Sequence, residues 1–184
     1  MSAGETVPSL TRPKEDTMTT TITANNEGMY GPSRWLDETI IPMLMPYTKD
    51  AWINGDYIEF ADLEGDAAAQ LARLLTPPAR QDRQNNAPTI LTLLRIAATT
   101  PGVTLSGYII RAPRRDERVS VDAISAPEHL FAPDPAGNDD EALLPIEWST
   151  FSQVLGISDE VIPPNDFRSY RNVDGEVMWR AWWD

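Results

Sequence analysis

The sequence contains no cysteine and only one histidine among its 184 residues. Without cysteine the chain can form no disulfide and offers no thiolate nucleophile, and one histidine cannot build a His-rich metal site. The phosphate-loop pattern GxxxxGK[ST] and the dinucleotide pattern GxGxxG are also missing. We therefore expect no cofactor and no metal, and these absences favour a non-catalytic protein over an enzyme.

The single histidine, His129, follows Glu128 in the stretch APEHLF. A catalytic triad would need a hydroxyl and an acid beside it, and no GxSxG nucleophile motif supports one. We interpret His129 as a structural residue. Paired carboxylates do not decide the question, because 28 acidic residues produce such pairs by chance.

Long apolar runs are lacking too, since no stretch approaches the ~20 apolar residues of a membrane span. The N-terminus has no apolar core of the kind found in a signal peptide. These two absences predict a cytoplasmic protein that does not bind membranes. Lysine is scarce: 13 of the 15 basic residues are Arg, and the other two are Lys14 and Lys49. That bias is typical of GC-rich coding and suggests a high-GC bacterium, its phages or its mobile elements.

Acidic residues dominate the charge, with 28 acids against 15 bases and a net charge of −13. Residues 37–66 hold eight acids and one base (net −7), and residues 126–166 hold nine acids and no base (net −9). Residues 67–125 between them hold eight Arg and four acids (net +4). Because nucleic-acid binding needs a positive face, direct binding of nucleic acid is disfavoured. The acidic segments instead suit a protein partner, or imitation of the charge on a DNA duplex.

Part of the second acidic segment, APDPAGNDDE at 132–141, is too rich in Pro, Gly and Asp for regular structure. A calcium loop of the EF-hand type starting at Asp134 would need Glu at its twelfth position, where this chain has Pro145. We therefore interpret the stretch as a solvated loop rather than a cation site. Its acidic run supplies three candidate partner-binding residues, Asp139, Asp140 and Glu141.

The pattern of elements predicts a single α+β domain at 33–184, with about three helices packed on short antiparallel hairpins. Residues 1–32 are polar and aperiodic, so we expect a flexible arm there. A short helix from Ser33 should be cut by prolines. The three longer helices are expected at about 62–76, 88–100 and 145–155, from their apolar periodicity and caps.

Three hairpins are predicted from turn residues between apolar runs. One should turn at Asn54-Gly55, between a run around Trp52 and a run from Tyr57. Another should join strands at about 103–110 and 119–124, with an Arg-rich tip. The last should turn at Asp174-Gly175 and lead into the C-terminal strand.

The Arg-rich tip suggests one nucleic-acid hypothesis. Helix, helix and hairpin across residues 62–125 follow the order of a winged helix-turn-helix, whose wing would place Arg114, Arg115 and Arg118 over phosphates. The would-be recognition helix at 88–100 is apolar around most of its circumference, which favours a place in the core. DNA binding therefore stays an alternative rather than the leading hypothesis.

The C-terminal stretch WRAWW raises a second interface hypothesis. On a strand, Trp179, Ala181 and Trp183 share one face, and Arg180 and Trp182 share the other. If the first set fills the core, Trp182 is covered by a helix or offered to a partner. Trp and Arg are enriched at interface hot spots, so we take Trp182 and Arg180 as candidate partner-binding residues.

The leading functional hypothesis is a non-catalytic acidic interaction protein, phage-borne or carried by a mobile element, that binds a protein partner or assembles with itself. A DNA mimic that inhibits a host restriction or CRISPR enzyme is the first alternative. A winged-helix DNA-binding protein is the second.

Overall fold

The computed structural model describes Met1 and residues 28–48, 55–131, 146–158 and 161–184. Within these ranges the chain is α+β, with five α-helices and one five-stranded antiparallel sheet. No described helix is long and apolar enough to cross a membrane. The helices are α1 (Ile40–Leu44), α2 (Gly65–Leu74), α3 (Pro77–Arg80), α4 (Ile90–Thr99) and α5 (Trp148–Val154). The strands are β1 (Tyr57–Leu63), β2 (Thr104–Ile110), β3 (Arg118–Pro127), β4 (Asp166–Arg171) and β5 (Val177–Trp182).

The three longer helices predicted from periodicity correspond to α2, α4 and α5, but the total of five exceeds the expected three. The short helix expected from Ser33 is α1, which begins at Ile40 after a series of turns. The helix that was not predicted is α3, because Pro77 was expected to lie beyond the end of the helix at about 62–76. Pro77 instead begins one, because proline suits the first helical position and the Thr76 hydroxyl accepts from Ala79 N–H.

The sheet order is β1-β2-β3-β5-β4, with every neighbouring pair antiparallel. The predicted hairpins β2–β3 and β4–β5 are both present. The hairpin expected at Asn54-Gly55 cannot be compared, because residues 49–54 lie outside the described residues. Its second strand, β1, pairs with β2, and an isolated bridge joins Phe60 to Thr48.

The helices pack on one face of the sheet and form a single apolar core. Their buried side chains share one cluster with inward-facing strand residues such as Phe60, Ile109 and Trp179. Gly107 of β2 is required there, because a Cβ would lie 2.0 Å from the Ser120 carbonyl oxygen and 2.9 Å from the Phe60 ring. The cluster gives this face of the sheet its strongest hydrophobic stabilisation.

Aromatic residues build the end of the core under α5. Phe151 stacks on Phe131, and Phe167 stacks on Trp179, with ring centroids 5.1 Å and 5.3 Å apart. Trp183 is 1% exposed, meets Trp148 edge to face and donates its indole N–H to the Ile162 carbonyl oxygen at 3.0 Å. The C-terminal strand is therefore anchored by buried indoles.

Residues 28–32, at the end of the expected arm, are tied to the domain. The buried carboxylate of Glu117 accepts the Arg34 N–H at 2.9 Å and 3.0 Å through its two oxygens. Thr76 donates its hydroxyl to the Tyr30 carbonyl oxygen at 2.8 Å. Buried carboxylates are costly unless they accept hydrogen bonds, so Glu117 fixes the entry of the chain into the fold.

Candidate functional site

The two faces of β5 divide its side chains as the alternation predicts. Trp179 and Ala181 are buried in the core cluster with Trp183, which follows the strand. Trp182 and Arg180 point to the opposite side and are half-buried. We call this side of the sheet the open face, because the buried side chains of the described helices belong to the core on the other side.

The open face is made of large side chains next to small ones. In the register of the sheet, Tyr108 lies opposite Ser120, Trp182 opposite Ala123 and Arg180 opposite Ser125. The three residues of the central strand are Ser120, Ala123 and Ser125, and all are buried. The large side chains of the flanking strands cover this row of small residues on β3. We use the word groove for Ser120, Ala123 and Ser125 together with the side chains that flank them.

A glutamine fixes one end of this groove. The Gln84 side-chain oxygen accepts from the Tyr108 hydroxyl and from the Ser120 hydroxyl, each at 2.8 Å. Tyr108 stacks on Tyr57 with ring centroids 5.1 Å apart, and the Arg118 guanidinium lies 5.8 Å from the Tyr108 ring centre. Tyr108 is therefore held in place by three neighbours, which lowers the entropy that a partner must offset on binding.

A carboxylate occupies the middle of the open face. The register of β2 on β3 shifts at Ser106 and Gly107, so Asp122 has no partner in the pairing and sits at a bulge. Burial raises the pKa of the Asp122 carboxyl, while a hydrogen bond from the Trp182 indole and the charge of Arg180 act in the opposite direction. Asp122 thus orients Trp182 on the surface.

The Arg-rich tip between β2 and β3 is partly neutralised by Asp116, which is shared by two of its three Arg side chains. Arg114 and Arg118 pair with its carboxylate at 2.6 Å and 2.8 Å. The hydrogen bond from Arg114 contributes most to a pKa of about 2 for Asp116. Arg115 is exposed and makes no side-chain ion pair among the described residues. The tip therefore presents less free positive charge than its sequence suggests.

The helix arrangement also gives the winged-helix hypothesis little support. α4, the would-be recognition helix, packs against α2 and contacts β2 and β3. Ile90, Leu93 and Leu94 are buried in the core. The β2–β3 hairpin lies at the centre of a five-stranded sheet, whereas a wing is free to lie along DNA.

The remaining candidates are spread over the surface or lie outside the described residues. His129 is 68% exposed, and its Nδ1 is 3.5 Å from a Glu176 oxygen. Within the described ranges, no group of three or more His, Asp or Glu side chains is placed to hold a metal ion. The acidic run at 139–141 lies outside the described residues.

Sequence reasoning found Trp182 and Arg180 but missed three neighbours: Tyr57, Tyr108 and Asp122. Tyr57 and Tyr108 stand 51 positions apart, and they meet only because β1 pairs with β2. The apolar run at about 103–110 predicted a strand that includes Tyr108, yet nothing local indicated its partner. Nothing in the sequence around Asp122 indicated its position on the open face, because the bulge that holds it depends on the pairing of β2 with β3.

Comparisons with known proteins give no further identification. No family model, no curated protein and no solved structure matches the chain. The function is therefore inferred from the side chains of the chain alone.

Proposed function

We propose that the chain is a non-catalytic interaction protein that binds a protein partner through the open face of its sheet. The observation that carries the proposal is the position of Trp182. This indole is only partly buried on the open face, while the adjacent Trp183 is 1% exposed in the core. A chain that buries one large ring and presents its neighbour is arranged to offer that ring to another molecule.

The composition of the face supports the same proposal. Trp, Tyr and Arg are the residue types that contribute most to binding at protein interfaces, and the open face combines them around one groove. Tyr57 is 45% exposed at the margin, and Arg118 and Arg180 are half-buried. The hydrogen bond from Trp182 to Asp122 holds the indole in one orientation, which favours binding without rearrangement.

The charges of the face favour a protein over a nucleic acid. Arg118 and Arg180 are accompanied by Asp122 and Glu59, so the face carries both signs. A phosphate backbone needs an excess of positive charge, which the chain as a whole lacks at −13. Mixed charge around an aromatic centre is the usual arrangement of a protein interface.

Affinity capture from host lysate, followed by titration of the purified partner, tests the proposal. Trp182→Ala and Arg180→Ala should each weaken binding about tenfold or more, because each removes an anchor from the groove. Arg95→Ala is the matched control, since Arg95 is exposed on α4, whose buried side chains belong to the core on the other side of the sheet. A partner that binds both open-face variants as tightly as the unchanged protein would refute the proposal.

A DNA mimic is the second candidate, and the edge at β1 supports it. Five carboxylates lie exposed along β1 and into α2, with no basic residue between them in the sequence. They belong to Asp56, Glu59, Asp62, Glu64 and Asp66. A row of carboxylates on one edge can compete with duplex DNA for a basic groove.

The two candidates respond differently to salt and to charge removal. A mimic should bind a basic nucleic-acid enzyme, lose affinity steeply as salt rises and be displaced by duplex DNA. Asp62→Asn with Glu64→Gln should weaken that binding, whereas Trp182→Ala should not. The opposite result, sensitivity to Trp182→Ala alone, supports the open face.

A further inference from the structure

Strand β4 leaves one edge of the sheet unpaired within the described residues, because its partner there is β5. Asn172 donates its N–H towards β5, to the Glu176 carbonyl oxygen at 3.0 Å. The backbone N–H and C=O groups of successive residues in a strand point to opposite sides. Arg168 and Tyr170 therefore also direct their N–H and C=O groups at β5. The outward N–H and C=O groups then belong to Phe167, Ser169 and Arg171.

Two exposed apolar side chains lie on this hairpin. Tyr170 is 36% exposed on β4, and Val173 is 101% exposed on the turn that follows it. Exposed apolar side chains on an open edge strand favour pairing with another chain.

We propose that β4 pairs with β4 of a second copy of this chain, antiparallel about a two-fold axis at Ser169. Two five-stranded sheets would then join into one continuous sheet. Across the axis, the outward N–H and C=O groups of Ser169 would bond the same groups of Ser169 in the second copy. The outward groups of Phe167 would bond the outward groups of Arg171 in the second copy. Every outward peptide group on β4 would then have a partner.

Among axes within β4, only an axis at Ser169 sets all three residues with outward peptide groups opposite one another. Residues that lie directly opposite each other in two paired strands point their side chains to the same face of the sheet. The two-fold axis must therefore pass through a residue of β4 and not between two residues. An axis at Arg168 would set two guanidinium groups against each other, and like charges directly opposite are unfavourable. An axis at Ser169 places a small residue at the centre.

The flanking pairs are favourable in the register centred on Ser169. On the open face, Arg168 lies opposite Tyr170 of the second copy, and on the other face Phe167 lies opposite Arg171 of the second copy. Both are cation–aromatic pairs, and each occurs two times in the dimer because of the two-fold axis. Charged side chains commonly block the pairing of edge strands. Here each guanidinium would meet a ring, and each also has a partner in its own chain, since Arg168 pairs with Asp166 at 3.1 Å and Arg171 donates to the Gly175 carbonyl oxygen at 2.7 Å.

This dimer would also extend the open face. A two-fold axis perpendicular to the sheet keeps both open faces on the same side, so the two Trp182 side chains would lie on one surface. The pairing of β4 itself does not depend on the proposed function. Trp182 lies on β5 and takes no part in the β4 contact.

Sedimentation equilibrium of the full chain tests the inference. The chain is expected to show a dimer of twice 20.5 kDa that dissociates on dilution. Ser169→Asp places two carboxylates together at the axis and should raise the dissociation constant about tenfold or more. Ser169→Asn has nearly the same size without the charge and should leave the dimer intact. Far-UV circular dichroism shows whether each variant is folded.

Cross-linking provides a second test that does not depend on weakening the dimer. Because the chain has no cysteine, Ser169→Cys introduces one thiol per copy, and the axis brings the two within disulfide reach. Oxidation should yield a covalent dimer. Thr39→Cys, exposed on the turn before α1, is the control and should not cross-link. A monomer at every concentration, or a dimer unaffected by Ser169→Asp and not cross-linked through Ser169→Cys, would overturn the inference.

Discussion

Replacing each of two adjacent tryptophans by alanine should have very different effects on stability. Trp183 is 1% exposed, donates a hydrogen bond of 3.0 Å to the Ile162 carbonyl oxygen and meets Trp148 edge to face at 5.7 Å. Trp182 is only partly buried on the open face, where its indole donates a hydrogen bond to Asp122. The substitution of Trp183 opens a cavity in the core, and that of Trp182 removes a partly buried side chain at the surface.

The magnitudes follow from burial. Truncating a buried Trp costs about 3–5 kcal/mol, which is a large part of the ~5–15 kcal/mol that stabilises a domain. At roughly 2–4 °C per kcal/mol for a chain of this size, Trp183→Ala should lower the Tm by roughly 6–20 °C. Trp182→Ala loses only part of its contacts and should cost about 1 kcal/mol or less.

Urea unfolding followed by far-UV circular dichroism measures both free energies of unfolding. Circular dichroism is preferable to fluorescence here, because the chain has six Trp and each variant removes one emitter. Equal losses in the two variants, or a larger loss for Trp182→Ala, would refute the division of β5 into a core face and an open face.

Three further predictions concern the sheet and its charges. Gly107→Ala should lower the free energy of unfolding by more than 1 kcal/mol or so, since the added Cβ meets the Ser120 carbonyl oxygen; an unchanged urea midpoint would contradict this. The pKa of Asp116 is lowered in the folded state, so its charged form stabilises the fold above pH 3.8, and this contribution is lost as the pH falls towards about 2. Asp116→Asn should therefore reduce the loss of stability between pH 3.8 and about 2, measured as the free energy of unfolding against pH. Asp122 has a raised pKa, so its charged form costs stability above the unfolded pKa; Asp122→Asn should be at least as stable as the unchanged protein at pH 7, and a clear loss would contradict this.

Local sequence signals were sufficient for most elements. Thr89 caps α4, with its hydroxyl accepting from Thr92 N–H, and apolar periodicity then continues to the end of that helix. The turn at Asp174-Gly175 joins β4 and β5 as predicted. The α+β class followed from these elements, since each signal lies within a few residues of the structure it specifies.

The order of the strands could not be predicted in the same way. Pairing of β3 with β5 brings together residues such as Ser125 and Arg180, which are far apart in the chain. Nothing in either segment specifies the other, because both are short and apolar on one side. The local structure at Thr76-Pro77 was ambiguous for a different reason. A proline is compatible both with the end of a helix such as α2 and with the first position of a helix such as α3.

The candidate surface was predicted only where strand alternation determines it. Alternation assigned Trp182 and Arg180 to one face of β5 before any partner strand was known. The groove itself depends on tertiary pairing, which sets Tyr108 beside Tyr57 and leaves Asp122 at a bulge. The Arg-rich tip misled for the same reason, because the pairing of Arg114 and Arg118 with Asp116 is a matter of loop geometry.

The most direct test of a binding role for the open face is an equilibrium titration of the captured partner with the unchanged protein and with Trp182→Ala. The dissociation constant should rise about tenfold or more for the variant while its circular dichroism spectrum stays unchanged. An unaltered dissociation constant for a folded Trp182→Ala protein would contradict the assignment of the open face as the binding surface.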